Sequence, residues 1–311
     1  MSSQGNPISR RNFLKSAAVV SAAGVSAGVL GACSPKVTDT GTTGANGASA
    51  QGTQWSWEAA PKAIPASEIK QTVDAEVLVI GAGLAGLAAA IAAVESGAKA
   101  TIIEKNDTVA FRGGHSTAFN SKLQQEMGIE NNYRQIIRDW IKWAQGRVDE
   151  DMLWLFGHKS GACMDWAIDL VTPKGLKTTM WEGFYKGPDY TEYPVTHIFY
   201  EEGADLSYLY GNSTGIGNAT LVPALESVAQ DKGVEFHYKT PAVQLIKDDS
   251  GKVTGVIAGE AGNYTQFNAS KGVILCTGDY ASNDEMKARY APYSLDADVQ
   301  IYLPNKCNTG D

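Results

Sequence analysis

An α/β fold built on a parallel sheet follows from three observations in this 311-residue chain. Residues 77–80, Val-Leu-Val-Ile, form an apolar strand that runs into Gly81-Ala82-Gly83-Leu84-Ala85-Gly86. A helix rich in small residues follows. A second apolar strand over residues 100–103 then ends on Glu104. Gly81 allows the tight turn, and Gly83 lets backbone approach a pyrophosphate. Gly86 lets the helix pack close to the strand, so that the positive helix N-terminus faces the phosphates. Glu104 lies 23 positions beyond Gly81, where a carboxylate can accept hydrogen bonds from an adenosine ribose. Because the glycines sit in a complete strand–helix–strand context, the expected ligand is a dinucleotide.

The residues before this unit indicate where the chain works. Ser9-Arg10-Arg11-Asn12-Phe13-Leu14-Lys15 is a close twin-arginine export signature. The run that follows, residues 16–32, is rich in Ala, Gly, Ser and Val and too weakly apolar for a good membrane span. It ends in Leu30-Gly31-Ala32-Cys33, which resembles a lipobox. Residues 1–32 are therefore read as a signal peptide and Cys33 as a lipidation site, giving a lipid-anchored extracytoplasmic product. An uncleaved signal anchor, or a chance cysteine after ordinary cleavage, is the alternative. Residues 33–67 read as a flexible tether, since 38–52 is nearly all Thr, Gly, Ala, Ser, Asn and Gln. Trp55 and Trp57 interrupt the tether and are expected to dock on the globular body. Residues 68–311 suffice for one substantial α/β domain.

Charge and cysteines narrow the classes. The chain carries 26 basic and 34 acidic residues, a formal net charge of −8. Cleavage before Cys33 would remove Arg10, Arg11 and Lys15 and no acid, leaving a still more acidic protein. With no basic cluster, nucleic acid is not an expected partner. Cys163, Cys276 and Cys307 form no C-x-x-C pair, so neither haem attachment nor an iron–sulfur or zinc site is expected. All three read as buried free thiols.

The remaining elements follow from periodicity. Residues 131–145 repeat apolar side chains at helical spacing, and 149–170 continue as one or two helices with Trp154, Leu155, Met164, Trp166 and Leu170 inward. Residues 178–218 show little periodicity and many aromatic, Gly and Pro residues, so a long surface segment is expected. A helix is expected over 220–230, strands over 234–238, 243–247, 252–258 and 263–268, and a turn at 248–251. Residues 272–276 read as a short apolar strand suited to a sheet interior. No internal repeat is seen.

Further motifs stand at fixed places along this frame. Glu104-Lys105 is followed by Arg112-Gly113-Gly114-His115-Ser116, and the strand at 272–276 runs into Thr277-Gly278-Asp279. Asn283-Asp284-Glu285-Met286 and Thr309-Gly310-Asp311 come after it. Together these resemble the flavoprotein subunits of the succinate dehydrogenase/fumarate reductase superfamily. The match is closest to secreted flavin reductases acting on fumarate, urocanate and related unsaturated acids, and it covers residues 74–311 in order.

The resemblance implies a Rossmann-like FAD-binding fold. It places Gly81, Ala82, Gly83 and Gly86 on the pyrophosphate of FAD, and Glu104 and Lys105 at the adenosine ribose. Gly113, Gly114, His115 and Ser116 line the flavin side, Ala242 and Val243 meet the adenine, and Thr277 and Gly278 meet the nucleotide. Asp311 goes to the pyrophosphate or ribityl chain. No catalytic residue is assigned within this chain. A hydrogen bond from His115 to flavin or backbone is favoured over proton transfer, and His158, His197 and His237 receive no role. The aromatic stretch 185–200 reads as a variable loop in preference to a substrate mouth. Asp279 departs from the family's second glycine at that turn.

In that family the capping domain and the proton-donating arginine lie beyond the Thr-Gly-Asp-Gly turn. The chain is therefore read as the incomplete N-terminal part of such a protein, its other half continuous or separately encoded. The implied activity is hydride transfer from flavin to an activated C=C bond of a small organic acid. Electrons would come from an extracytoplasmic or membrane cytochrome or a quinol-linked donor. A ketosteroid-dehydrogenase-like flavoenzyme and a non-catalytic, lipid-anchored FAD-binding fragment are the alternatives. An NAD-linked enzyme is weaker, because no second Gly-x-Gly-x-x-Gly is present.

Overall fold

A computed structural model describes residues 55–59, 61–111, 113–181, 191–207, 215–296 and 308–310. The signal peptide, Cys33, most of the tether, Arg112, Cys307, Asp311 and part of the 185–200 stretch lie outside these residues.

The expected strand–helix–strand unit is β1 (Ile69–Ile80), α1 (Leu84–Glu95) and β2 (Ala100–Ile103). These strands pair in parallel, and β6 (Glu235–His237) extends the parallel set beyond β2. On its other side β1 pairs with β9 (Asn263–Leu275), which continues through β8 (Val253–Glu260) to β7 (Ala242–Lys247) as an antiparallel ribbon. The sheet order is β6-β2-β1-β9-β8-β7. The two strands expected at 263–268 and 272–276 are thus one long strand. Its register against β1 shifts between Ala75 and Val77. Such an irregularity bends a strand pair, so one half of β1 and β9 serves the parallel sheet and the other the ribbon.

Each face of this sheet has its own core. Leu78, Ile80 and Ile103 meet Val256, Ala258 and Phe267 of the ribbon. On the other face, Val79 and Ile102 pack with Leu87 and Ile91 of α1 and with Leu221, Val222 and Leu225 of α5 (Asn218–Asp231). All four residues of β2 are buried. Each fully buried Leu or Ile here contributes about 1.5–3 kcal/mol.

A second, three-stranded sheet overturns the expectation of a long surface segment. In it β3 (Ser116–Thr117) and β4 (Leu176–Met180) flank β5 (Thr196–Glu201), all antiparallel. Met180, Val195, His197, Ile198, Phe199 and Ile216 are buried. A buried histidine and crowded aromatics mask the two-residue alternation by which a strand is normally read. The segment 182–190 between β4 and β5 is not among the described residues.

The helices α2 (Lys122–Glu126), α3 (Tyr133–Trp143) and α4 (Glu150–Val171) complete this region. Phe119 sits among the rings of Tyr133, Trp140 and Phe156, with Ile136 and Ile137 fully buried beneath. Met164 is buried, and Trp154, Trp166 and Leu170 pack against the cores. Leu155 does not, being 51% exposed. The inward stripe of α4 runs through Gly157, Ser160, Gly161 and Met164; Leu155, two positions before Gly157, is turned about 200° from it. Cys163, one position before Met164, is likewise exposed rather than buried, and Cys276 is half-buried.

Trp55 and Trp57 dock on the body. Their rings stack at 5.2 Å, and Trp57 meets Tyr290 of α6 (Asp284–Tyr290) at 5.8 Å.

His197 is fully buried and pins the second sheet to α2. Its Nδ1 faces the Val195 carbonyl at 3.2 Å and its Nε2 faces Ser121 Oγ at 2.7 Å. A ring that donates from Nδ1 accepts from Ser121 at Nε2, which requires the neutral form. Burial lowers its pKa below the ordinary 6.5. The unfolded chain then binds more protons than the folded one in mildly acidic solution, so this stability is present above about pH 6.5 and is lost as pH falls below it. Melting curves from pH 7.5 to 5 should show the loss, and His197→Gln should flatten that slope. An unchanged slope would remove His197 from the argument.

Candidate functional site

A cleft of about 720 Å³ opens where β1, β2 and β9 end, lined by Ile80, Ile103 and Leu275 and the loops that follow them. This is the carboxyl edge of the parallel sheet, where open α/β folds place their ligands.

The three glycines after β1 have different physical reasons. Gly81 has φ +102°, and a Cβ there would lie 2.3 Å from the Cys276 carbonyl oxygen. A Cβ on Gly86 would lie 1.9 Å from the Gly81 carbonyl oxygen. Both are demanded by backbone packing. Gly83 is not: its φ is −82°, and a Cβ would come no nearer than 3.5 Å to Ala110 O. No protein atom requires glycine there, yet Gly83 lines the cleft. It also stands at the start of α1, where no side chain caps the helix. The first N–H groups of α1, at Leu84 and Ala85 on the cleft wall, are thus left to a ligand, with the helix dipole behind them.

Glu104 is 6% exposed and anchors the backbone around it. Its Oε2 accepts from Ala82 N at 2.7 Å, and its Oε1 accepts from Asn106 N and Nδ2 at 2.8 and 2.7 Å. The acid ending β2 therefore fixes the glycine turn ending β1. Its oxygens retain lone pairs toward the cleft. Lys105 Nζ, on the same wall, donates to Thr309 Oγ1 at 3.0 Å.

The opposite wall comes from the end of β9. Cys276, Thr277, Gly278 and Asp279 all line the cleft. Burial pushes the Cys276 thiol up, so it stands there protonated. Asp279 Oδ1 accepts from Ala281 N at 2.8 Å and from Asn308 Nδ2 at 3.0 Å. The residue in the place of the family's second glycine thus ties two cleft-lining turns together.

Of the residues expected at the site, Gly81, Gly83, Glu104, Lys105, Thr277 and Gly278 line the cleft; Ala82 and Gly86 stand behind it, buried. At the far end Ala242 lines it with Thr240 and Pro241, whereas the side chain of Val243 is 41% exposed and takes no part in the lining. Neighbours on a strand point to opposite faces, so β7 brings only the first of the pair to the cleft. Gly113, Gly114, His115 and Ser116 lie outside the lining as well. Gly113 adjoins the cleft residue Asn218: a Cβ on it would lie 3.9 Å from Asn218 Nδ2. His115 stacks on Trp181 at 5.7 Å, and Ser116 pairs with His197 across β3 and β5. Asp311 is outside the described residues.

Sequence reasoning missed Asn106, Phe111, Asn218, Thr240 and Asn308. Asn106 carried a local signal, a short amide beside the acid that ends β2. The others reach the cleft only through folding. Among the described residues no group of histidine, cysteine and carboxylate side chains could hold a metal ion. None of the described helices is long and apolar enough to cross a membrane.

A cleft at the carboxyl edge of the parallel sheet, beside a glycine turn, an uncapped helix start and a buried acid, fits FAD. Comparison with known proteins agrees. Residues 76–310 match the FAD binding domain family, and residues 7–27 match the twin-arginine translocation signal sequence. The chain is 30% identical over 244 residues to a urocanate reductase of Eggerthella lenta, covering 76% of this chain and 37% of that protein. It is 28% identical over 253 residues to a cytochrome-type fumarate reductase of Shewanella frigidimarina, covering 79% and 40%. It thus spans less than half the length of these relatives. The fold is shared with 3-ketosteroid-Δ4-(5α)-dehydrogenase from Rhodococcus jostii, with a TM-score of 0.63 at 22% identity over 83% of this chain and 53% of that one. The protein is exported by the twin-arginine route to an extracytoplasmic location. With its glycine turn, its buried acid and the matched span from residue 76 to 310, the chain belongs to the FAD binding domain family, within the fumarate reductase flavoprotein superfamily, and its cofactor is FAD.

Proposed function

We propose that this chain is the FAD-holding part of an exported reductase that adds hydride to an activated C=C bond of a small organic acid. What carries the reading is Gly83: a glycine that no protein contact requires, standing at the uncapped start of α1, in a chain similar to urocanate and fumarate reductases. FAD, when bound, supplies the two-electron hydride chemistry.

The chain's own residues hold and orient that group. The N–H groups at the start of α1 offset the charge of the pyrophosphate, and Lys105 stands at the adenosine ribose. Glu104 accepts from the adenosine ribose while fixing Ala82, and Thr240, Pro241 and Ala242 shape the adenine end. Gly113, Gly114, His115 and Ser116 run toward the flavin end, where the exposed His115, stacked on Trp181, offers a hydrogen bond. The relatives are more than twice as long as the span matched here, and the rest of the enzyme is supplied by sequence beyond this region or by a second chain. An extracytoplasmic or membrane electron donor, cytochrome or quinol-linked, supplies the reducing equivalents, and Cys33 carries a lipid that holds the protein at the membrane.

Protein purified from its source cells should reoxidise reduced methyl viologen in the presence of an α,β-unsaturated acid and not its saturated counterpart. FAD-loaded protein inert to a panel of unsaturated acids would instead mark a non-catalytic flavin-binding chain.

Gly83→Ala should melt within about 3 °C of the parent yet bind FAD at least ~10-fold more weakly. Gly86→Ala should lower Tm by about 5–10 °C, because its new methyl meets backbone. Similar FAD affinity in the Gly83 variant and the parent would refute the pyrophosphate assignment. Cys33→Ala should abolish incorporation of labelled fatty acid without blocking export; retained label would show that the anchor lies elsewhere.

A further inference from the structure

We propose that residues 55–58 are a working part of the FAD cleft: a strap that braces α6 so that α6 can hold the turn 308–310 against the cleft. The inference rests on FAD occupying that cleft.

The contacts run without a gap from strap to cleft. Ser56 N donates to Glu285 Oε1 at 2.7 Å, and Ser56 Oγ donates to the other oxygen of the same carboxylate. Trp57, stacked on Trp55, lies against Tyr290, and Tyr290 in turn lies 5.8 Å from Tyr280. The strap therefore grips α6 at its second residue, Glu285, and at its last, Tyr290. At the start of α6, Asn283 accepts from Met286 N at 3.0 Å while its Nδ2 donates to the Thr309 carbonyl at 2.8 Å. Ser282 N donates to the Asn308 carbonyl at 2.9 Å. The turn 308–310 is then tied to the cleft walls by Asn308 to Asp279 and by Lys105 to Thr309. Asn308, Asp279 and Lys105 all line the cleft.

The physical reason for a brace is the shortness of α6. Seven residues are too few to hold a helix in water, so tertiary contacts must fix it. Tyr290 is 54% exposed even with the strap in place, and the residue of α6 that is buried is Lys287, so the helix has little apolar core of its own to rest on. Among the described residues, both the strap, 229 residues upstream, and the turn at the cleft support it. A ligand that orders the turn holds α6 and with it the strap. Linkage makes the effect reciprocal: the strap strengthens FAD binding by the same factor by which FAD strengthens strap docking.

The test uses the full chain and two independent readouts. FAD affinity is measured by flavin fluorescence, and strap release by the rate of tryptic cleavage after the exposed Lys62, followed by mass spectrometry. In the parent, saturating FAD should slow that cleavage by about five- to tenfold. Trp57→Ala and Glu285→Ala should each weaken FAD by about the same factor, and the milder Ser56→Ala by less. The cleavage readout needs no variant, so a misfolded substitution does not rescue or sink the idea by itself. Unchanged FAD affinity in both variants, or cleavage in the parent indifferent to FAD, would reduce the strap to surface packing. A parent chain that takes up no FAD would overturn the cleft assignment, and the strap proposal with it.

Discussion

Three stretches of backbone meet after β1 with no side chain between them, and the rest of the molecule is arranged around that meeting. Gly86 lets α1 come down on the Gly81 carbonyl, and Gly81 lets the turn come against the Cys276 carbonyl at the end of β9. The ends of β1 and β9 and the start of α1 are thereby brought within van der Waals distance. The carboxylate of Glu104 adds the end of β2 by accepting from Ala82 N. A cleft at this point is a consequence: the strands end together, the loops diverge, and the helix presents uncapped N–H groups to the space between.

Glu104 illustrates how one group on the cleft wall carries the structure around it. A buried carboxylate is costly unless hydrogen bonds satisfy it, and here three N–H donors do so. The acid is thus held in place by the protein itself, so a ligand entering the cleft need not order it. Asp279 does comparable work on the other wall through Ala281 and Asn308. A residue that looked like a departure from a glycine pattern is a fastening between turns.

The second sheet and the aromatic cluster around Phe119 frame the segment that carries His115. His197 is central to that frame because it is neutral, buried and bonded on both ring nitrogens. It holds β5 to α2, and β5 holds β3, which follows His115 directly. The position of His115 beside Trp181 therefore depends on a pairing between segments about 80 residues apart in sequence.

The sequence by itself determined the parallel sheet, the turn between β1 and α1, the acid at the end of β2 and the export signal. These are local patterns: an apolar run, three glycines at fixed spacing, an acid at a fixed distance, two adjacent arginines. Short-range sterics and hydrogen bonding give such patterns one interpretation. It also carried most of the helices, whose apolar spacing is legible without neighbours, though not the side on which Leu155 or Cys163 would fall. Only tertiary structure decided that residues 263–275 form one bent strand, that the aromatic segment folds into β4 and β5, and that Ala242 rather than Val243 reaches the cleft. It alone decided that Asn218, Thr240 and Asn308 line that cleft, and that Trp55 and Trp57 brace α6. Each of these turns on contacts between residues distant in the chain, whose side chains carry no local periodicity to announce the partner they will meet.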